Sequence, residues 1–118
     1  MVNAKAISAG TAFPFDAEAV RRGAARSYDR AFHPKGTGRQ FAAILAAGDR
    51  TGALAQVRVP TLVIHGTEDQ VIGVSGGEAT AAAIPGAELV VFEHSGHMAF
   101  VEEPDAYRAT LGPFLARL

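Results

Sequence analysis

Asp69 and His97 are the two side chains whose types and surroundings best suit chemistry. A carboxylate within reach of an imidazole accepts the Nδ1 proton, fixes the tautomer and stabilises the imidazolium formed when Nε2 takes a proton. Such a pair is a general-base dyad that still requires a nucleophile. Glu68, adjacent to Asp69, is an alternative acid. Ser75 stands in Gly73-Val74-Ser75-Gly76-Gly77, which matches G-x-S-x-G in its letters. That motif needs a buried strand ahead of the serine, and only a short polar loop precedes Ser75. With Glu78 three residues on, Ser75 instead spells a helix capping box, which explains the serine without chemistry. Ser8 and Ser27 lack flanking glycines, and Ser27 falls within an expected helix. His94 and His97, with His65, Glu68 or Glu93, raise the question of a metal centre. No H-E-x-x-H or H-x-E pattern accompanies them and the dyad already accounts for His97, so no metal is expected. His65 is expected to end a strand, His33 to be solvated in a loop, and Arg21, Arg22 and Arg26 to form a solvated helix face.

The elements around the two residues explain how they could meet. Val59 to Gly66 is a nearly continuous apolar run closed by glycine, the pattern of a strand buried in a parallel sheet. A polar loop, Thr67 to Gly73, follows, then a helix opened by Ser75 to Glu78 and running from Ala79 to Ile84, ended by Pro85-Gly86. Ala87 to Phe92 is a second strand, and His97 lies in the loop after it. Pro104 marks the start of a last helix with Tyr107, Thr110, Leu111, Phe114, Leu115 and Leu118 on one face, and Pro113 should kink it. This order is a βαβα unit, which right-handed crossover geometry makes parallel. Active groups of open α/β sheets gather beyond the carboxyl ends of the strands. Asp69 and His97 both sit there.

Upstream, Met1 to Phe15 shows no period and is expected to be an irregular lead-in. Asp16 can cap a helix whose apolar stripe is Val20, Ala24, Tyr28 and Phe32, with Phe15 stapling onto Val20. Pro34 and Gly36 are expected to break it. A second helix should open at Thr37, capped with Gln40, and stop at Gly48.

The 118 residues suit one modest domain, 48% hydrophobic and 19% charged, as in a soluble globular protein. Eleven Lys and Arg against 12 Asp and Glu leave a formal charge of −1, which disfavours nucleic acid and anionic membranes as partners. Absence of cysteine removes disulfides and thiolate chemistry. No run suits a signal peptide or a membrane span, so a mature, soluble chain in the cytoplasm is expected.

Three stretches together carry a resemblance: Val59-Pro60-Thr61-Leu62-Val63-Ile64-His65-Gly66-Thr67-Glu68-Asp69, Ala83-Ile84-Pro85-Gly86-Ala87-Glu88-Leu89, and Ser95-Gly96-His97 with Phe114-Leu115. From about Leu54 to Leu118 the chain resembles the closing third of α/β-hydrolase-fold enzymes. Pro14-Phe15-Asp16, Asp29-Arg30-Ala31-Phe32 and Arg39 to Ala46 resemble the cap of small esterases of the aclacinomycin methylesterase type.

The resemblance implies a partial α/β-hydrolase fold, with a cap-like helical segment over residues 1–53 and a βαβα unit over 54–118. It implies a cofactor-free carboxylic ester hydrolase in which Asp69 and His97 are the acid and base of a triad. In that superfamily the nucleophile precedes both in chain order, and nothing between Met1 and Pro60 fits it. The oxyanion-hole donors would also come from elsewhere. A truncated product or one piece of a split enzyme is therefore expected, inactive alone, with a small ester as substrate once completed. Self-association, an N-terminal partner chain, or use as a non-enzymatic α/β interaction module through an exposed strand edge are the alternatives.

Overall fold

A computed structural model describes residues 8–11 and 14–118. Of the lead-in expected before Asp16, residues 1–7, 12 and 13 lie outside the described part. The described elements are helices α1 (Ala17–Arg30), α2 (Pro34–Ala47) and α3 (Thr51–Leu54), strand β1 (Leu62–Gly66), helix α4 (Val74–Ala83), strand β2 (Glu88–Phe92), and helices α5 (Ala99–Glu102) and α6 (Pro104–Leu115).

Both strands fall where their apolar runs place them, and they pair in parallel from Leu62 opposite Glu88 to Gly66 opposite Phe92. Helix α4 is the crossover between them and packs on β1. The result is a two-stranded parallel sheet with helices around it. The buried apolar residues are Ile84, Phe92, Ala99 and Phe114, so the core lies beneath the ends of the strands. Covered only in part by helices, β1 is half-buried up to Gly66, and β2 exposes Leu89 and Val91. The radius of gyration, 16.2 Å, exceeds the roughly 13.5 Å of a compact domain of this length.

Asp16 caps α1 as its position predicts, its side chain accepting the N–H of Ala19 at 2.8 Å. Two other helix starts differ from expectation. Helix α1 ends at Arg30, ahead of Pro34 as expected, but Pro34 itself opens α2 in place of Thr37, with His33 as the cap residue and no side-chain cap bond. Proline suits the first helical position because its φ is already helical and its missing N–H would have had no intrahelical acceptor there. The Thr37 and Gln40 capping box is therefore internal to the helix. Likewise α4 opens at Val74 after Gly73, leaving Ser75 in the first turn, exposed, without its expected capping bond. Two single-turn helices, α3 and α5, have too few residues for periodicity to announce them. Helix α6 starts at Pro104 and runs through Pro113.

Helices α1 and α2 bury none of their residues. Tyr28 and Phe32 stack on each other at 4.6 Å between ring centroids yet remain exposed, as do Phe41, Ile44 and Leu45 of α2. No described helix is long and apolar enough to cross a membrane.

Gly66, the last residue of β1, is where the two strand ends meet. A β-carbon there would stand 2.2 Å from the carbonyl oxygen of Ser95, in the loop after β2. Because the opposing atom is backbone, no rotamer change can relieve the clash. Gly66→Ala should lower unfolding stability by about 1–3 kcal/mol, read as a lower urea midpoint, through overpacking at this approach.

Candidate functional site

Parallel pairing brings the loops after β1 and β2 side by side, and a backbone bond from the Glu68 N–H to the Ser95 carbonyl, at 2.9 Å, ties them. Across this seam His97 Nδ1 lies 2.8 Å from Asp69 Oδ2. Asp69 is buried, its side chain 5% exposed against 37% for His97, so the carboxylate is fixed and the imidazole reaches outward. The other carboxylate oxygen, Oδ1, accepts the N–H groups of Val71 at 2.8 Å and Ile72 at 2.9 Å, which curls the loop around it. Burial by itself raises the Asp69 pKa. The hydrogen bonds from Ile72, His97 and Val71 outweigh it, and the carboxyl ends below its ordinary value. An ionised Asp69 accepts a hydrogen bond from His97 Nδ1–H, so the carboxylate fixes the orientation of the ring.

Glu68, the alternative acid, is committed elsewhere. Its carboxylate accepts the Thr11 N–H at 2.7 Å and the Thr11 hydroxyl at 2.8 Å, and lies 3.0 Å from His94 Nδ1. The Thr11 hydroxyl first, and His94 next, hold its pKa below the ordinary value. The structure brings Asp69, not Glu68, to His97. Ser75 lies in the first turn of α4, and its hydroxyl makes no hydrogen bond among the described residues. No three metal-ligating side chains cluster among the described residues.

Several neighbours of the pair were not visible in the sequence. His65 lies within β1, where its Nε2–H donates to the Ile72 carbonyl at 2.8 Å and stands 3.4 Å from Asp69 Oδ2. It thus supports the Asp69 loop from below. Ser95 is completely buried, its hydroxyl bonded to Glu103. Glu102 accepts backbone N–H groups from Gly10 and Gly96, and Ser8 accepts the His97 N–H at 2.8 Å. Residue type and spacing carry no signal for Glu102, because its partners are main-chain groups, one of them 92 positions away.

Two cavities adjoin the site. The larger, about 790 Å³, lies between α1 and residues 98–104, and Phe15, Val20, Ala24, Met98 and Val101 make its wall mostly apolar. His97 does not line it. It lines a smaller one of about 290 Å³ with Leu62, Ile64, Phe100, Tyr107 and Phe114. Ser8 and Met98 line the larger cavity next to the site, since the Ser8 carbonyl accepts the His97 N–H and Met98 follows His97 in the chain.

Comparison with known proteins fits this arrangement. A family model described as the alpha/beta hydrolase fold matches residues 4–104. A proline iminopeptidase of Levilactobacillus brevis is 39% identical over 85 residues, 72% of this chain and 26% of that protein. A pimeloyl-[acyl-carrier protein] methyl ester esterase of Stenotrophomonas maltophilia is 35% identical over 75 residues, 64% of this chain and 29% of that protein. The chain therefore spans little more than a quarter of the length of these curated relatives. Among solved structures, an esterase from Exiguobacterium antarcticum aligns with a TM-score of 0.55 and 35% identity over 58% of this chain and 25% of that one. A serine hydrolase involved in carbazole degradation aligns over 99% of this chain and 46% of its own, with a TM-score of 0.75 and 22% identity, a likeness of fold.

The lowered Asp69 pKa has a definite pH signature. A depressed carboxyl adds stability above its ordinary value of 3.8 and loses it as pH falls through the lower folded value. Asp69→Asn should be less stable than wild type at neutral pH by about 1.5–3 kcal/mol, the range for hydrogen bonds to a charged group. In urea titrations across pH, that difference should shrink only below pH 3.8.

Proposed function

The chain belongs to the α/β-hydrolase-fold family, and on that premise we propose that it carries the acid and base of a carboxylic ester hydrolase. His97 is the general base and Asp69 the carboxylate that orients it. The observation that carries this reading is the 2.8 Å contact between His97 Nδ1 and the buried Asp69 Oδ2, which orients a part-exposed imidazole whose Nε2 takes no part in that bond. A serine hydroxyl attacks the acyl carbon and passes its proton to Nε2. The same proton goes to the departing alkoxide, and water repeats the sequence to release the acid.

That serine comes from a part of the fold that these 118 residues do not supply, in the same polypeptide or in a partner chain, and the isolated chain is then without turnover. An ester is the bond proposed because an esterase stands among both the relatives and the solved structures, beside the proline iminopeptidase among the relatives. Residues 1–53 serve as a cap, and the apolar cavity beneath α1 takes the apolar part of a small ester in the cytoplasm. A second reading, association through the sheet without catalysis, is favoured by one observation: among the described residues β1 pairs on one edge only.

Hydrolysis of p-nitrophenyl esters tests the proposal. The 118-residue chain should match buffer, and fusion to a serine-bearing N-terminal α/β-hydrolase segment should give turnover. His97→Ala should then lower kcat by about 10²–10⁴-fold, the usual worth of a general base. Ser75→Ala should leave it unchanged. Turnover by the isolated chain that disappears with Ser75→Ala as well as His97→Ala would overturn an external serine.

A further inference from the structure

Residues 8–11 form a strap across the two loops that carry Asp69 and His97. The Ser8 carbonyl accepts the His97 N–H at 2.8 Å, and Thr11 is held by Glu68 through its N–H and hydroxyl. Between these points Gly10 and Gly96 pass backbone against backbone. A β-carbon on Gly96 would stand 2.4 Å from the Ser8 carbonyl oxygen and 2.5 Å from the Gly10 nitrogen. Contact this close leaves two N–H groups, of Gly10 and Gly96, pointing into one space. Two donors cannot satisfy each other, so the crossing needs a shared acceptor.

Glu102 supplies it. Its Oε2 accepts Gly10 N–H at 3.0 Å and Gly96 N–H at 2.8 Å. The other oxygen, Oε1, is buried with no hydrogen-bond partner among the described residues. Burying a polar atom without a partner is costly, so the carboxylate is not there for its own solvation. Its gain is the pair of amides. The adjacent Glu103 accepts the hydroxyl of fully buried Ser95, so two consecutive carboxylates pin two consecutive residues just before His97.

We propose that Glu102 is a positioning residue for His97: by gathering the Gly10 and Gly96 amides onto one oxygen, it clips the His97 loop to the strap and holds Nδ1 at Asp69. This rests on the assignment of Asp69 and His97 as an acid–base pair. Removing the acceptor leaves two part-buried amide bonds unmade, the strap separates, the Ser8 bond to His97 is lost, and the imidazole no longer has a fixed origin. Aspartate, one methylene shorter, falls short of the crossing. Glutamine keeps an oxygen that both amides can share.

The test is NMR on the full 118-residue chain, following amide exchange at Gly10 and Gly96 together with the hydrogen-bonded His97 Nδ1 proton. Glu102→Ala and Glu102→Asp should speed exchange at both glycines by about ten-fold or more and abolish the Nδ1 signal, with β1 amides still protected. Glu102→Gln should retain both features. Should Glu102→Ala not fold, the Asp and Gln variants decide. Wild-type glycine protection and an intact Nδ1 signal in Glu102→Asp would overturn the proposal while leaving the acid–base pair standing. Asp69→Asn should remove the Nδ1 signal yet keep Gly10 and Gly96 protected. A wild-type chain without that signal would overturn the acid–base pair, and the positioning role with it.

Discussion

Five residues of parallel pairing, Leu62 to Gly66 against Glu88 to Phe92, are the constraint from which the site follows. Parallel neighbours end at the same edge of the sheet, so the loops leaving them must run side by side. Gly66 lets the second loop come within contact distance of the first, and the Glu68 to Ser95 bond closes the seam. Asp69 and His97, far apart in sequence, become hydrogen-bond partners as a consequence.

The four carboxylates around this seam are each tied to something different. Asp69 is buried and takes two backbone amides and His97. Glu68, more exposed, takes Thr11 and His94. Glu102 takes two glycine amides and Glu103 takes Ser95. Only the first arrangement combines a desolvated, ionised carboxylate with an imidazole whose far nitrogen remains open. A carboxylate held by several donors orients an imidazole without competing for its proton. The remaining three hold the loops on which that geometry depends.

Away from the seam the chain covers its own apolar surface poorly. Helix α2 buries none of its residues, Phe41, Ile44 and Leu45 among them, and β2 exposes Leu89 and Val91. Helices gain most of their stability from packing an apolar face, and a two-stranded sheet is marginal by itself. Burial concentrates instead at Ile84, Phe92, Ala99 and Phe114, the region that supports the strand ends and the His97 loop. The best-packed part of the molecule is thus the part that positions Asp69 and His97.

Sequence alone determined what local physics controls. Apolar runs, the first closed by Gly66, placed both strands, the crossover order set their parallel sense, and Asp16 marked the start of α1. Asp69 and His97 were legible because each follows such a strand. Local reasoning failed where two local rules compete: Pro34 follows one helix and itself starts the next, ahead of Thr37, and Ser75, with the letters of a cap, lies in the first turn of α4. The tertiary structure alone decided which acid meets His97, since Asp69 and Glu68 are neighbours and only the curl of the loop onto the Val71 and Ile72 amides separates them. It alone revealed Glu102, Ser95 and the strap of residues 8–11. Glu102 and the strap are tied through backbone amides, and a backbone amide has no letter in the sequence.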